Sequence, residues 1–260
     1  MRPKKRLGQH FLTSPSHAKK IAAAVMAAPG DHVLEIGPGR GALSVHLKER
    51  FPDFHLVEFD ADVIAELTAK LGAGQWVLHE CDVLRFDFLS AGSPLHVVGN
   101  LPYSIAAMII KKTLLYAGAV STCTFMVQRE VAQRIAAHPH CRRNGFLSIF
   151  CQFFGEPRIV FHVPAGAFFP RPKVESSVFR MAISNDRYGR LPREEWDGFF
   201  RFVDKGFRMR RKTLVNALGR DRAKAAYGEA LHGLGINPSA RAEDLAVEQW
   251  LELYGKVRCV

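Results

Sequence analysis

The chain has no acidic residue before Asp31, while Arg2, Lys4, Lys5 and Arg6 crowd its start. Signal and transit segments begin this way, but no apolar core follows, because Gly8, Gln9, His10 and Thr13 interrupt it. Residues 1–13 are therefore expected to form a basic arm of the mature protein. Long apolar runs are also missing. The longest, such as residues 21–28, fall far short of a membrane span, so no membrane partner is expected. Cysteine is sparse: Cys81, Cys123, Cys141, Cys151 and Cys259 form no CxxC pair. An odd, scattered set suits reduced thiols in the cytoplasm and argues against a disulfide framework or a metal site. Internal repeats and low-complexity tracts are absent. With 48% apolar and 23% charged residues, the composition excludes disordered, collagenous and fibrous classes.

What is there is a 260-residue chain, long enough to bury a core without staples, with a formal charge of +11 and a pI near 9.7. That surplus points to a polyanionic partner. Ser14-Pro15 predicts a helix start, with Ile21 and Val25 on one face and Pro29-Gly30 as the stop. Strands are predicted at 32–36, 54–58, 75–79, 95–99 and 121–127. Helices are predicted at 42–50, 61–71 (capped by Asp60) and about 105–116. This alternation predicts an α/β fold with a mostly parallel sheet. After residue 145 the pattern changes. A helix at 146–154 precedes strands at 156–163 and 174–183, joined by a Pro-rich linker (Pro164, Pro170, Pro172), which would add antiparallel strands at the sheet edge. The chain then becomes helical and basic. Two domains are expected, 1–184 and 185–260, the second small and all-helical.

Residues 33–42, VLEIGPGRGA, place a turn of Gly37, Gly39 and Gly41 between a strand and a helix. Such glycines let the backbone approach a ligand closely. Glu58 ends the next strand about 20 positions on, where a carboxylate can accept both hydroxyls of a ribose. The string also satisfies the dinucleotide fingerprint G-x-G-x-x-A. The Glu35-Ile36-Gly37-x-Gly39-x-Gly41 form is instead typical of S-adenosylmethionine (SAM) methyltransferases, because Glu35 suits an ammonium group better than a pyrophosphate. A third strand ends at Glu80-Cys81-Asp82, and Asp82 there can accept the adenine amino proton or simply cap a turn.

The fourth strand runs into Asn100-Leu101-Pro102-Tyr103. An aromatic amine is a poor nucleophile because its lone pair is delocalised into the ring. A side-chain amide oxygen and a nearby backbone carbonyl can accept both amine protons and aim the lone pair at a methyl donor. Pro102 stiffens the turn and Tyr103 offers a face on which a base can stack. Alone, the four residues read equally well as a loop with a core aromatic; after a SAM-type strand series they read as a site.

These strings together resemble the KsgA-type family of small-subunit ribosomal RNA adenine dimethyltransferases. The resemblance runs nearly end to end: RLGQHFL (6–12), VLEIGPGRGAL, NLPYSI, MVQREVAQR (126–134), VPAGAFFPRPKVESSV (163–178), RRKTLVNAL (210–218) and RAEDLAVEQW (241–250). It implies a Rossmann-like SAM-dependent methyltransferase sheet with a helical C-terminal domain. It also implies SAM as cofactor, bordered by His10, Leu12, Gly37 and Asn100, with Glu58 on the ribose and Asp82 on the adenine. Asn100 and the Leu101 carbonyl would hold the target amine, with Pro102 in the same turn. Tyr103 would stack on the base and Phe168 would close its other side, although Phe168 and Phe169 also read as edge-strand packing. The substrate implied is two adjacent adenosines near the 3′ end of small-subunit rRNA, within an assembled small subunit, with a part in its biogenesis. The sequence carries no mark of oligomeric state. Two departures touch the RNA-facing side: Met108 stands where the family usually has Pro, and residues 138–146 replace a Gly-Ser and Tyr-Gly segment.

Three other functions compete. The macrolide-resistance (Erm-type) methyltransferases of large-subunit rRNA share the N-terminal segment, an Asn-x-Pro-Tyr turn and IIKK at 109–112; PRPKVESSV and RRKTLVNAL favour the small-subunit reading. A non-catalytic RNA-binding protein would be expected to lack Glu58, Asp82 or Asn100, and all three are present. An NAD oxidoreductase would leave NLPY and the basic surplus without a use. Between Lys205 and Lys224 lie eight cations and one anion, Asp221, which predicts contact with an RNA backbone.

Overall fold

The computed structural model describes residues 10–28, 30–51, 54–219 and 223–258. The arm cations Arg2 to Arg6, Pro29, and Arg220 to Arg222 of the basic stripe lie outside these residues. In chain order the elements are β1 (Phe11–Leu12), α1 (Pro15–Ala24), β2 (His32–Ile36), α2 (Ser44–Arg50), β3 (Phe54–Glu58), α3 (Ala61–Leu71), β4 (Trp76–Glu80), β5 (Leu95–Asn100), α4 (Ala106–Leu115), β6 (Val120–Gln128) and α5 (Arg129–Ile135). There follow α6 (Phe146–Phe154), β7 (Arg158–Val163), β8 (Phe168–Phe169), β9 (Ser176–Ala182), α7 (Asn185–Tyr188), α8 (Trp196–Phe207), α9 (Leu214–Leu218), α10 (Ala223–His232) and α11 (Val247–Val257).

Strands β2, β3, β5 and β6 are buried along nearly their whole length, on both faces, as strands of a parallel sheet covered by helices must be. They form a seven-stranded sheet in the order β4-β3-β2-β5-β6-β9-β7. The first five are parallel; β9 runs antiparallel to β6, and β7 antiparallel to β9. From β2 the chain winds outward through β3 and β4, then returns to lay β5 on the other side of β2. The carboxyl ends of β2 and β5 are thus the topological switch point, where an open α/β sheet leaves a crevice. The two strands are in register, Ile36 opposite Gly99. A Cβ on Gly99 would stand 2.6 Å from the Ile36 carbonyl oxygen, so only glycine lets the strands close here.

Asp60 caps α3 by accepting the Asp62 N–H at 3.2 Å. Helix α1 is shorter than the sequence predicts. It ends at Ala24, because Val25 turns extended (ψ 127°) while keeping its side chain buried. Two elements were not predicted. One is α5. The other is a two-stranded ribbon in which β1 pairs with β8, Phe11 opposite Phe169 and Leu12 opposite Phe168. Thr13 extends it, donating its N–H to the Ala167 carbonyl at 2.8 Å. The Pro-rich linker thereby ties down the end of the arm.

The chain divides into two compact units, residues 1–132 with 156–183 and residues 133–155 with 184–260. A single cut at 184 therefore misplaces residues 133–155. The reason is α6, whose phenylalanines pack with α8: Phe150 on Phe200 at 4.4 Å between ring centroids, Phe153 on Phe199 at 5.3 Å and on Trp196 at 5.4 Å. Arg187 binds the Gln152 carbonyl at 2.9 Å and pairs with Glu248 at 2.5 Å, and Asn144 donates to the Glu243 carbonyl at 2.9 Å. Among the described residues no helix is long and apolar enough to cross a membrane.

Candidate active site

The first unit carries a cavity at the switch point. His10, Leu12, Gly37, Glu58, Asn100, Leu101, Pro102 and Tyr103 all line it, brought together from four segments of chain. Glu35, Gly39 and Arg40 join them. Asp82 and Phe168 do not.

Glu58, at the end of β3, is buried, and its carboxylate accepts three backbone N–H groups. One oxygen takes Gly39 at 3.0 Å; the other takes Phe59 at 2.8 Å and Asp60 at 2.9 Å. It ties the glycine turn to β3, a role the sequence does not reveal. Gly37 has φ +64°, and a Cβ there would meet nothing within 4 Å, so the turn leaves open space above its backbone. Glu35 is 2% exposed, and its Oε2 finds no hydrogen-bond partner among the described residues. Burial holds its carboxyl up to about 8, the neighbouring Glu58 charge adds to the rise, and the Ser44 hydroxyl opposes it. Two acidic side chains and an open glycine turn fit a ligand that brings a cation and a diol, as SAM does, and fit a pyrophosphate poorly.

In the same lining, the Asn100 side-chain amide donates to the His10 carbonyl at 3.2 Å. The His10 ring donates from Nδ1 to the Pro170 carbonyl at 2.7 Å and lies 5.4 Å from the Tyr103 ring. Leu101 is buried and donates its N–H to the Met126 carbonyl at 3.1 Å, which fixes the turn to the neighbouring strand. The Tyr103 hydroxyl shares a 2.6 Å hydrogen bond with Ser176. Burial raises its pKa, with the Ser176 bond opposing, so Tyr103 presents a neutral ring. Ser176, on β9, lies in the PRPKVESSV block, but nothing in that string marks it as the partner of Tyr103.

Asp82 lies past the end of β4, half-buried, with its carboxylate turned to accept the Leu84 N–H at 2.9 Å. The turn it makes is held from α4 by Lys112, which donates to the Leu84 carbonyl at 2.8 Å. Phe168 is 4% exposed and belongs to the hydrophobic core with Leu12 and Val178. Strand alternation turns it inward, so the edge-packing reading of Phe168 is the one its position matches.

In the second unit, Arg208, Arg210, Arg211 and Lys212 are exposed where α8 ends. Arg208 pairs with Asp204 at 2.9 Å, and Arg210 donates to the Arg142 and Asn144 carbonyls. Arg210 is thus part of the packing as well as of the charged surface.

Residues 1–257 match the family described as ribosomal RNA adenine dimethylase. A ribosomal RNA small subunit methyltransferase A from Aromatoleum aromaticum is 39% identical across 97% of this chain and 93% of its own. One from Xanthomonas campestris is 42% identical across 96% and 94%. Among solved structures, a dimethyladenosine transferase from Plasmodium falciparum has the same fold, with TM-score 0.79 and 23% identity over 96% of this chain and 98% of that one. The 23S rRNA methyltransferase ErmE superposes with TM-score 0.74 at 25% identity over 95% and 99%. The chain, a methyltransferase by fold and by sequence, belongs to the ribosomal RNA adenine dimethylase family.

Proposed function

We propose that the protein uses SAM to dimethylate the exocyclic amines of two adjacent adenosines near the 3′ end of small-subunit rRNA, acting on an assembled small subunit in the cytoplasm. The observation that carries this reading is the meeting of Glu35, Glu58, Asn100 and Tyr103 around one cavity. SAM supplies a methyl group on a sulfonium. Glu58 binds the ribose hydroxyls while holding the glycine turn, and Glu35 faces the cationic end. Asp82 keeps the adenine in reach once its turn is set. Asn100 Oδ1 and the Leu101 carbonyl accept the N–H bonds of the target amine, and Tyr103 stacks on the base. The site works by positioning and hydrogen bonding, with no general base required. Phe168 acts from beneath, as packing under the wall.

The names of the relatives favour the small subunit over the large one that the name of ErmE specifies. The test is methyl transfer from labelled SAM to purified ribosomal subunits lacking the modification, with the sites mapped by primer extension. Two neighbouring stops near the 3′ end of small-subunit rRNA are expected. Stops confined to large-subunit rRNA would overturn the small-subunit assignment.

A further inference from the structure

The β1–β8 ribbon has two faces. Leu12 and Phe168 pair inward and are buried; Phe11 and Phe169 pair outward, and Phe169 is 62% exposed. The outward pair edges a second groove of about 480 Å³. Lys70, His46 and Ser14 also line it, and it shares Phe11, Leu12, Arg40 and Ala42 with the active-site cavity, so the two adjoin. The Arg40 guanidinium lies 5.0 Å from the Phe11 ring centroid and 3.5 Å from Glu66. Lys70 donates to the Arg40 carbonyl at 3.2 Å and is exposed. Just beyond Phe169, Arg171 and Lys173 are exposed on the same loop.

We infer that this groove is a second RNA subsite, taking an unpaired nucleotide next to the target in the strand. The inference rests on the RNA-methyltransferase reading above. Phe169 leaves its ring open to solvent at the edge of the groove, where a base can stack on it. Phe169 supplies the face, Arg40 packs on its partner Phe11 and neutralises Glu66 in the groove's lining, and Lys70 there, with Arg171 and Lys173 next along the chain, offers charge to the phosphates. Because the groove and the cavity share a wall, a strand with one base at Tyr103 runs past Phe11 as it leaves.

Phe169→Trp turns the proposed platform into its own reporter. Titrating this variant with a short single-stranded oligoadenylate should give saturable quenching beyond that of the wild-type chain. Phe169→Ala should weaken binding of the small subunit about five- to hundredfold, the range for losing one stacked base. Lys70→Gln should flatten the salt dependence. SAM affinity and thermal midpoint should stay as in wild type for the two Phe169 variants. Absence of quenching, or unchanged particle affinity in Phe169→Ala, overturns the inference. It is overturned equally if the new Trp emits as a buried residue without RNA and shifts red when residues 1–9 are removed, because the arm then fills the groove. Loss of quenching while the wild-type chain still methylates the small subunit defeats this inference alone. Failure of methylation defeats the reading beneath it.

Discussion

Asn100 reaches ninety residues back along the chain to donate its side-chain amide to the carbonyl of His10. The same side chain proposed to hold the target amine therefore also holds the arm segment that walls the cavity. Asn100→Ala should lower kcat at least about a hundredfold. SAM affinity, measured by calorimetry, should fall by no more than about tenfold. Asn100→Asp keeps an accepting oxygen but sets a carboxylate against the His10 carbonyl, so it should not restore turnover. A variant with near-normal kcat would remove Asn100 from the chemistry.

Glu58→Gln tests the double use of one carboxylate. Three backbone N–H groups converge on it, and an amide cannot accept them all. At least one of these donors, each partly or fully buried, is left unpaired, which costs about 1–3 kcal/mol. The SAM dissociation constant should rise roughly ten- to a hundredfold, together with a lower unfolding midpoint. Full affinity with full stability would show that neither role depends on the charge.

Much of this architecture is readable from residue order, and the exceptions have physical causes. The apolar runs at 32–36, 54–58 and 95–99, the Asp60 cap and the antiparallel strands after residue 155 follow from periodicity and turn chemistry, which are local. The place of α6 is not local. FLSIFCQFF is apolar nearly all round, so it announces burial without saying against what. The β1–β8 ribbon is two residues wide and has no period to detect. Most of the cavity's lining was legible because it sits at strand ends. Asp82 and Phe168 failed to join it because a carboxylate can satisfy its own turn, and because one residue's step along a strand exchanges inside for outside.

Glu35 should make stability depend on pH. Its carboxyl is held near 8 in the folded chain against an ordinary value of 4.5. Below 4.5 it is protonated folded or unfolded. As pH rises from 4.5 to about 8 the unfolded chain loses the proton first, so native stability declines through that window and the penalty is complete above it. Glu35→Gln removes the penalty. The difference in thermal midpoint between variant and wild type should widen from pH 5 to pH 8; a constant difference would mean that Glu35 is already ionised. A bound cation reverses the preference, so SAM binding at pH 7 should release a proton, detectable by calorimetry in two buffers of different ionisation enthalpy.

Lys112→Met should loosen the Asp82 turn without touching the cavity wall. The expected result is a higher KM for SAM with little change in kcat, restored by Lys112→Arg. An equal loss in both constants would place the damage elsewhere in α4.

The exposed cations after α8 are best tested without Arg210, whose bonds to Arg142 and Asn144 make it part of the packing. Arg211→Ala with Lys212→Ala should lower small-subunit affinity and reduce the slope of log K against log salt by about 0.7–0.9 per lost contact. The SAM dissociation constant should not move. An unaltered slope would mean that these two cations face solvent only.

Because the chain enters the second unit at residue 133, leaves it after 155 and returns at 184, no single cut yields either unit whole. A fragment ending at 184 would retain α6 without α8, stranding Phe150, Phe153 and Phe154 in water. A fragment beginning at 185 would lack half of that aromatic cluster. Deletion phenotypes from either truncation would report aggregation before they reported function. Dissecting RNA binding from methyl transfer therefore calls for two-segment exchanges, with 133–155 and 184–260 moved together.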